Sequence, residues 1–282
     1  MFPPRRLLLS SLLLLATACE KLACSSSPSA SEPSAPRQSM GFIEGRVRLV
    51  GPLPALAPLH TSPSVVAHCG ETVPDTSLSV GKEGELAHVV VSLAEGALLP
   101  GEPDAPAPPA VLEQRRCLFS PPVLAARIGS LLEVRNADAL LHNAHVLAGS
   151  PQPVINVALP IEGSRVRQTL PEAPGVLQVR CDLHPWMLAV IRTFEHPWFT
   201  TTDAEGRFRL QVPEGTHSVL LWHPRLPGAR RSVFVHAGET VRLDYSWPVE
   251  ALRPPPHMHP SAPTPPQPRK GGGWRTVPAL VE

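Results

Sequence analysis

The sequence predicts an all-β chain of sandwich or barrel type, and three observations carry that expectation. Short segments of strand-like pattern follow one another closely at 131–136, 166–170, 175–180 and 188–194, as strands of a sandwich or barrel do. Long helical patterns are missing, and 37 prolines break the chain into short pieces. After His196-Pro197 the turn-and-strand pattern restarts, in Thr202-Asp203-Ala204-Glu205-Gly206-Arg207-Phe208 and again in Pro213-Glu214-Gly215-Thr216-His217, which sets a second group of strands apart from the first. With 282 residues the chain is long enough for one or two domains and a sizeable core.

The N-terminus reads as an export signal over residues 1–18. Arg5 and Arg6 precede an apolar run at 7–15, too short to span a bilayer, and Ala16-Thr17-Ala18 stands directly before Cys19. These small residues before a cysteine resemble a bacterial lipobox, although that motif usually begins with Leu where this chain has Ala16. The resemblance implies lipidation of Cys19 and a membrane-anchored protein of the periplasm or cell envelope. An ordinary signal peptide, or use of Cys24, is the alternative. Residues 19–40, rich in Ser, Pro and Ala, read as a disordered tether. The formal net charge of +1 gives no reason to expect nucleic acid as a partner.

Order is expected from Gly41. A strand at 45–50 ends at Gly51-Pro52, and a proline-broken stretch runs to His68-Cys69-Gly70. A second strand occupies 87–93, and 100–110 is a connection. From Val111 the strands come closer together: Arg127-Ile128-Gly129-Ser130 makes a turn, 145–148 is a further strand, and 166–170 with 175–180 reads as a paired set. Strands at 231–235 and 240–245 close the pattern. Residues 249–282 are Pro-rich, then Gly-rich, and read as a disordered tail.

The chemistry concentrates in Cys181-Asp182-Leu183-His184-Pro185-Trp186-Met187. A thiolate, an imidazole and a thioether stand three residues apart, so one loop between two strands can aim ligands of graded softness at one point. Copper suits such a mixture, with the thioether as a weak axial ligand. A further ligand must come from elsewhere, and Asn136-Ala137-Asp138-Ala139-Leu140-Leu141-His142-Asn143 is the best source. Zinc also takes imidazole and thiolate, but favours a stronger fourth ligand than a thioether. A Cys–His pair can also act as nucleophile and base. No third orienting residue or oxyanion feature is evident, so no catalytic residue is assigned and the chain is read as a non-enzyme. If Cys181 binds metal, Cys69 and Cys117 remain to form a disulfide in an oxidising compartment. His223, in Trp222-His223-Pro224, reads as a turn residue; His257 and His259 lie in the solvated tail.

Leu141-His142-Asn143-Ala144-His145-Val146 together with Cys181-Asp182-Leu183-His184-Pro185-Trp186-Met187 resembles the cupredoxins, amicyanin most of all. The resemblance covers about 111–194 and implies a Greek-key β-sandwich over 111–193 holding one type 1 copper. It implies His142, Cys181, His184 and Met187 as metal ligands. It makes Asn143 the residue that steadies the two ligand loops by hydrogen bonds, and His145 a non-ligand. It also implies an apolar surface near His184 and Trp186 where periplasmic redox partner proteins dock.

Gly45-Arg46-Val47, the strand at 88–93 and the turn at 202–208 resemble a carboxypeptidase regulatory-like domain, a transthyretin-like β-sandwich. On that resemblance residues 41–110 and 194–248 form one sandwich, split by insertion of the copper domain. The rival layout makes 41–110 extra strands of the copper domain. The expected function is an exported, lipid-anchored one-electron carrier. A copper trafficking or sensing module and a structural sandwich with a vestigial site are the alternatives.

Overall fold

The computed structural model describes residues 39–94, 107–150 and 152–255; the signal, Cys19, most of the tether and the tail from 256 lie outside the described residues. The chain opens with β1 (Met40–Val50). An excursion follows, with the short strands β2 (Leu59–His60) and β3 (Thr72–Val73) on either side of one helical turn, α1 (Val66–Cys69). Next come β4 (Val90–Leu93), β5 (Ala110–Arg115), β6 (Leu118–Ser120), β7 (Val123–Arg127) and β8 (Leu131–Asn136). Then come β9 (His142–Leu147), β10 (Pro153–Leu159), β11 (Arg165–Thr169), β12 (Gly175–Arg180) and β13 (Leu188–Phe194). The chain closes with β14 (Phe199–Thr201), β15 (Arg207–Pro213), β16 (Gly215–Trp222), β17 (Ala229–Val235), β18 (Thr240–Arg242) and β19 (Tyr245–Pro248).

The architecture is all-β, with two sandwiches. In the central one, a sheet of order β10-β9-β12-β13-β7 faces a sheet of order β11-β8-β5-β6. Its core joins Leu112, Phe119, Leu132, Val134, Val146, Leu177, Val179 and Ile191. In the flanking one, β1 pairs with β15, β18 and β19, and the opposing sheet has the order β14-β4-β16-β17. Its core joins Ile43, Val47, Val91, Leu210, Val219, Val235 and Trp247. Strands on both sides of the central segment therefore share the flanking sheets. Val90, Val123 and Phe194 pack together where the two sandwiches meet.

The turn before β15 has a local cause. Asp203 Oδ1 accepts the N–H groups of Glu205 (3.0 Å) and Arg207 (2.7 Å), and Gly206 takes φ +69°. Its carbonyl accepts the Val47 N–H at 2.8 Å, and a Cβ there would collide with the Val47 carbonyl. Only glycine meets both conditions.

Several expectations change. Strands β11 and β12 are not partners: β11 pairs with β8 in one sheet, and β12 with β9 and β13 in the other. The Leu170 N–H is taken by Ser130 O (2.9 Å), which turns the chain across the core instead of into a hairpin. Ala110 and Phe194 belong to central strands. Val73 belongs to the central core, and Leu59, Val65 and Cys69 pack against it, so the excursion covers the central sandwich rather than the flanking one. Residues 249–255 are not tail-like: Leu252 packs on the flanking core, and Arg225 and Arg253 exchange a backbone bond and a guanidinium bond.

Candidate metal centre

His142 is the first residue of β9 rather than part of a loop. The turn before it is shaped by the buried Asn136, whose Nδ2 donates to Leu140 O (2.7 Å) and Leu159 O (3.0 Å) and whose Oδ1 accepts the Asp138 N–H (2.9 Å). The second segment is closed on itself. Met187 N–H donates to His184 O (2.9 Å) and Cys181 N–H to Met187 O (3.3 Å), so β12 and β13 end on one tight loop.

The structure brings His142, Cys181 and His184 together. The two Nδ1 atoms are 2.9 Å apart, and Cys181 Sγ lies 3.4 Å from His184 Nδ1 and 4.0 Å from His142 Nδ1. A point equidistant from the three atoms is about 2.0 Å from each, the length of a metal bond to nitrogen and slightly short for sulfur. All three residues are buried, and Met187 is fully buried in the same cluster as Cys181. The donor set therefore fits a soft transition metal on atom type, separation and exclusion of water. Among the described residues, Cys117, Asp138 and His142 also cluster, but the Cys117 sulfur is bonded to Cys69, which leaves no thiolate there.

Charge is arranged to suit a cation. Burial opposes ionisation of the Cys181 thiol, but hydrogen bonds from His142, His184 and the backbone at Asn143 and Leu183 outweigh it and hold its pKa at about 6, well below a free thiol. Burial would lower the pKa of His142; its bonds to Asp138 and Cys181 raise it instead. His142 Nε2 stands 3.1 Å from Asp138 Oδ2. An acceptor there fixes the ring proton on Nε2 and leaves the Nδ1 lone pair aimed at the shared point. Asp138 is held ionised: burial raises its pKa, and bonds from His142, Cys117 and Arg116 more than reverse that.

Asn143 spans the two ligand segments, accepting the Asp182 N–H (2.7 Å) and donating to Asp182 Oδ2 (2.8 Å). His145 points away from the centre and meets Asp182 at 2.9 Å. Cys69 and Cys117 are joined. His184 and Trp186, expected beside an apolar surface, are both buried, and the Trp186 indole N–H donates to Cys117 O at 3.0 Å. The exposed apolar residues beside the ligands are Leu141, Leu183 and Pro185. Sequence reasoning also missed Asp138, which supplies the orienting group it found lacking. The only sequence signal was an acidic residue four positions before a histidine. His223 is buried in a turn, its Nδ1 accepting the Arg225 N–H at 3.2 Å.

No family model matches the chain, and no curated protein does. Among solved structures it is similar to a copper-containing nitrite reductase, NirK, from Thermus scotoductus SA-01, at 27% identity over 37% of this chain and TM-score 0.29. The chain spans 25% of that enzyme's length. It is also similar to a purple cupredoxin from Nitrosopumilus maritimus, at 21% identity over 30% of this chain and 98% of that one, TM-score 0.27. A reduced Cu(I) amicyanin variant matches at 20% identity over 32% of this chain and 86% of that one, TM-score 0.27.

Proposed function

We propose that the central sandwich holds one type 1 copper and that the protein is an exported, lipid-anchored one-electron carrier. The observation that carries this reading is the buried triangle of His142 Nδ1, Cys181 Sγ and His184 Nδ1. Those three residues would hold copper, with the buried Met187 as a weaker thioether ligand. Copper bound there supplies a Cu(I)/Cu(II) couple and a strong thiolate-to-copper absorption. The chain's own part is rigidity. Asp138 holds the His142 ring, Asn143 ties the two ligand segments, and the paired strands β12 and β13 fix the loop ends. A site held in one geometry suits both oxidation states.

Burial separates this reading from its rivals. Cys181 is 2% exposed, too enclosed to attack a substrate. His142 at 0% and His184 at 3% are equally poor for handing metal between proteins, which needs a reachable ligand. The apolar residues Leu141, Leu183 and Pro185, set beside the ligands, suit a small, transient contact with a redox partner. The signal-like N-terminus, Cys19 and the Cys69–Cys117 bridge support an oxidising compartment outside the cytosol. The flanking sandwich, assembled from segments before and after the copper domain, is then the host into which that domain is inserted.

The test is the absorption spectrum and reversible voltammetry of purified, copper-loaded protein. A carrier gives one copper per chain, a strong visible band and a reversible couple, and Met187→Leu shifts the potential while keeping the band. Rapid loss of Cu(I) to a chelator without a reversible couple would favour trafficking instead.

A further inference from the structure

One residue outside the ligand set touches the supports of both ligand histidines. Cys117 gives its N–H to Asp138 Oδ2 (2.8 Å), the same oxygen that meets His142 Nε2 (3.1 Å). Its carbonyl accepts the Trp186 N–H (3.0 Å), and the Trp186 ring lies against His184 with centroids 5.3 Å apart. Its sulfur is bonded to Cys69, at the end of α1 in the excursion. The neighbouring Arg116 N–H donates to Asp138 Oδ1 at 2.6 Å. Arg116 and Cys117 both take positive φ, +53° and +57°, a conformation that non-glycine residues adopt only when their surroundings enforce it. Cys117 is 1% exposed and Asp138 is partly buried.

We infer that Asp138 and the Cys69–Cys117 bridge act as one positioning clamp on His142 and His184, so that the bridge and the metal centre are energetically coupled. The bridge pins the excursion and holds the left-handed pair at 116–117. That pair aims two amides at Asp138, and Asp138 sets the His142 tautomer. The Cys117 carbonyl holds Trp186 against His184. Asp138 and Cys117 are positioning residues that act through the histidines. The inference rests on the copper reading only where metal is measured. Coupling is reciprocal: a bridge that tightens metal binding is itself protected by the metal.

The test compares the wild type with Asp138→Ala, Asp138→Asn, the pair Cys69→Ala/Cys117→Ala, and the pair combined with Asp138→Ala. The first readout needs no metal. Nitrogen-15 NMR of the apo protein, above the imidazole titration range, reports the His142 tautomer. It is Nε2-protonated in the wild type and mixed in Asp138→Ala and in the bridge variant. The second is Cu(I) affinity by chelator competition. Asp138→Ala and the bridge variant each lose roughly 10- to 100-fold, the size usual for a group supporting a metal ligand. The combined variant loses no more than the worse of the two, and Asp138→Asn, keeping one acceptor oxygen, recovers part of the loss. An unchanged tautomer in the bridge variant, or losses that multiply, overturns the clamp. If the bridge variant does not fold, reduction of the bridge in the folded wild type with a phosphine gives the same tautomer readout. A wild type that binds no copper defeats the copper reading alone, while the apo spectrum still decides the clamp.

Discussion

The two sandwiches bury histidines in opposite ways. In the central one, His142 and His184 face each other and Cys181 across distances of 2.9 to 4.0 Å, with no other partner for the facing nitrogens among the described residues. In the flanking one, His217 meets Pro213 O at 2.6 Å and His223 accepts the Arg225 N–H, each ring answered by backbone within a few residues. Backbone-bonded rings complete turns. The two Nδ1 atoms that meet only one another and a thiolate leave lone pairs converging on one point, and a cation there would satisfy them. Burial alone therefore does not mark a metal site; the identity of the partner does.

The largest expected effect breaks the contrast outright. Cys181→Ser removes the only thiolate from the triangle, and the visible band of the copper-loaded protein disappears. Retention of that band would place its origin elsewhere. A cut in the flanking core sharpens the comparison from the other side. Ile43 is fully buried there, so Ile43→Ala costs about 2–5 kcal/mol in denaturant unfolding and leaves the band unchanged in the folded protein. A changed band would mean that the flanking core shapes the centre.

The third effect is a pH dependence. His223 is held at a pKa of about 3, first by burial and then by the neighbouring His88 and Arg225. An unfolded histidine titrates near 6.5, so between about 6.5 and 3 the unfolded chain binds a proton that the folded chain refuses. Stability is undiminished by this group above 6.5 and falls as pH drops through that window, to its full loss below about 3. His223→Asn, which keeps an acceptor for the Arg225 N–H, flattens that slope; an unaltered slope would assign the loss to other groups. The smallest effect is at the surface. Leu183→Ser slows electron exchange with a redox partner and leaves spectrum and stability within error. Equal rates would argue against partner docking at the ligand loop.

How far the site was legible depends on how local its causes are. Residues 181–187 carry their own spacing, so sequence alone assembles three candidate ligands on one loop. Asn143 and His142 follow from a motif that stays intact along the chain. Asp138 and Cys117 act through tertiary contacts with residues whose own roles are set elsewhere, and no spacing encodes that. Trp186 looked like a surface residue because an aromatic beside exposed Leu183 and Pro185 does not announce its side; the Cys117 carbonyl draws it in. The excursion at 59–73 has too few apolar residues to show which core it joins, and the disulfide settles that. The pairing of β11 with β8 was hidden because edge strands with alternating exposure fit either sheet.

The most direct measurement is a crystal structure of the copper-loaded protein. The account predicts a single ion bonded to His142 Nδ1, Cys181 Sγ and His184 Nδ1 at about 2 Å or slightly longer, with Asp138 still on His142 Nε2. An ion ligated by only one of the two chain segments, or seated on the Asp138 carboxylate with the two imidazoles apart, would contradict it.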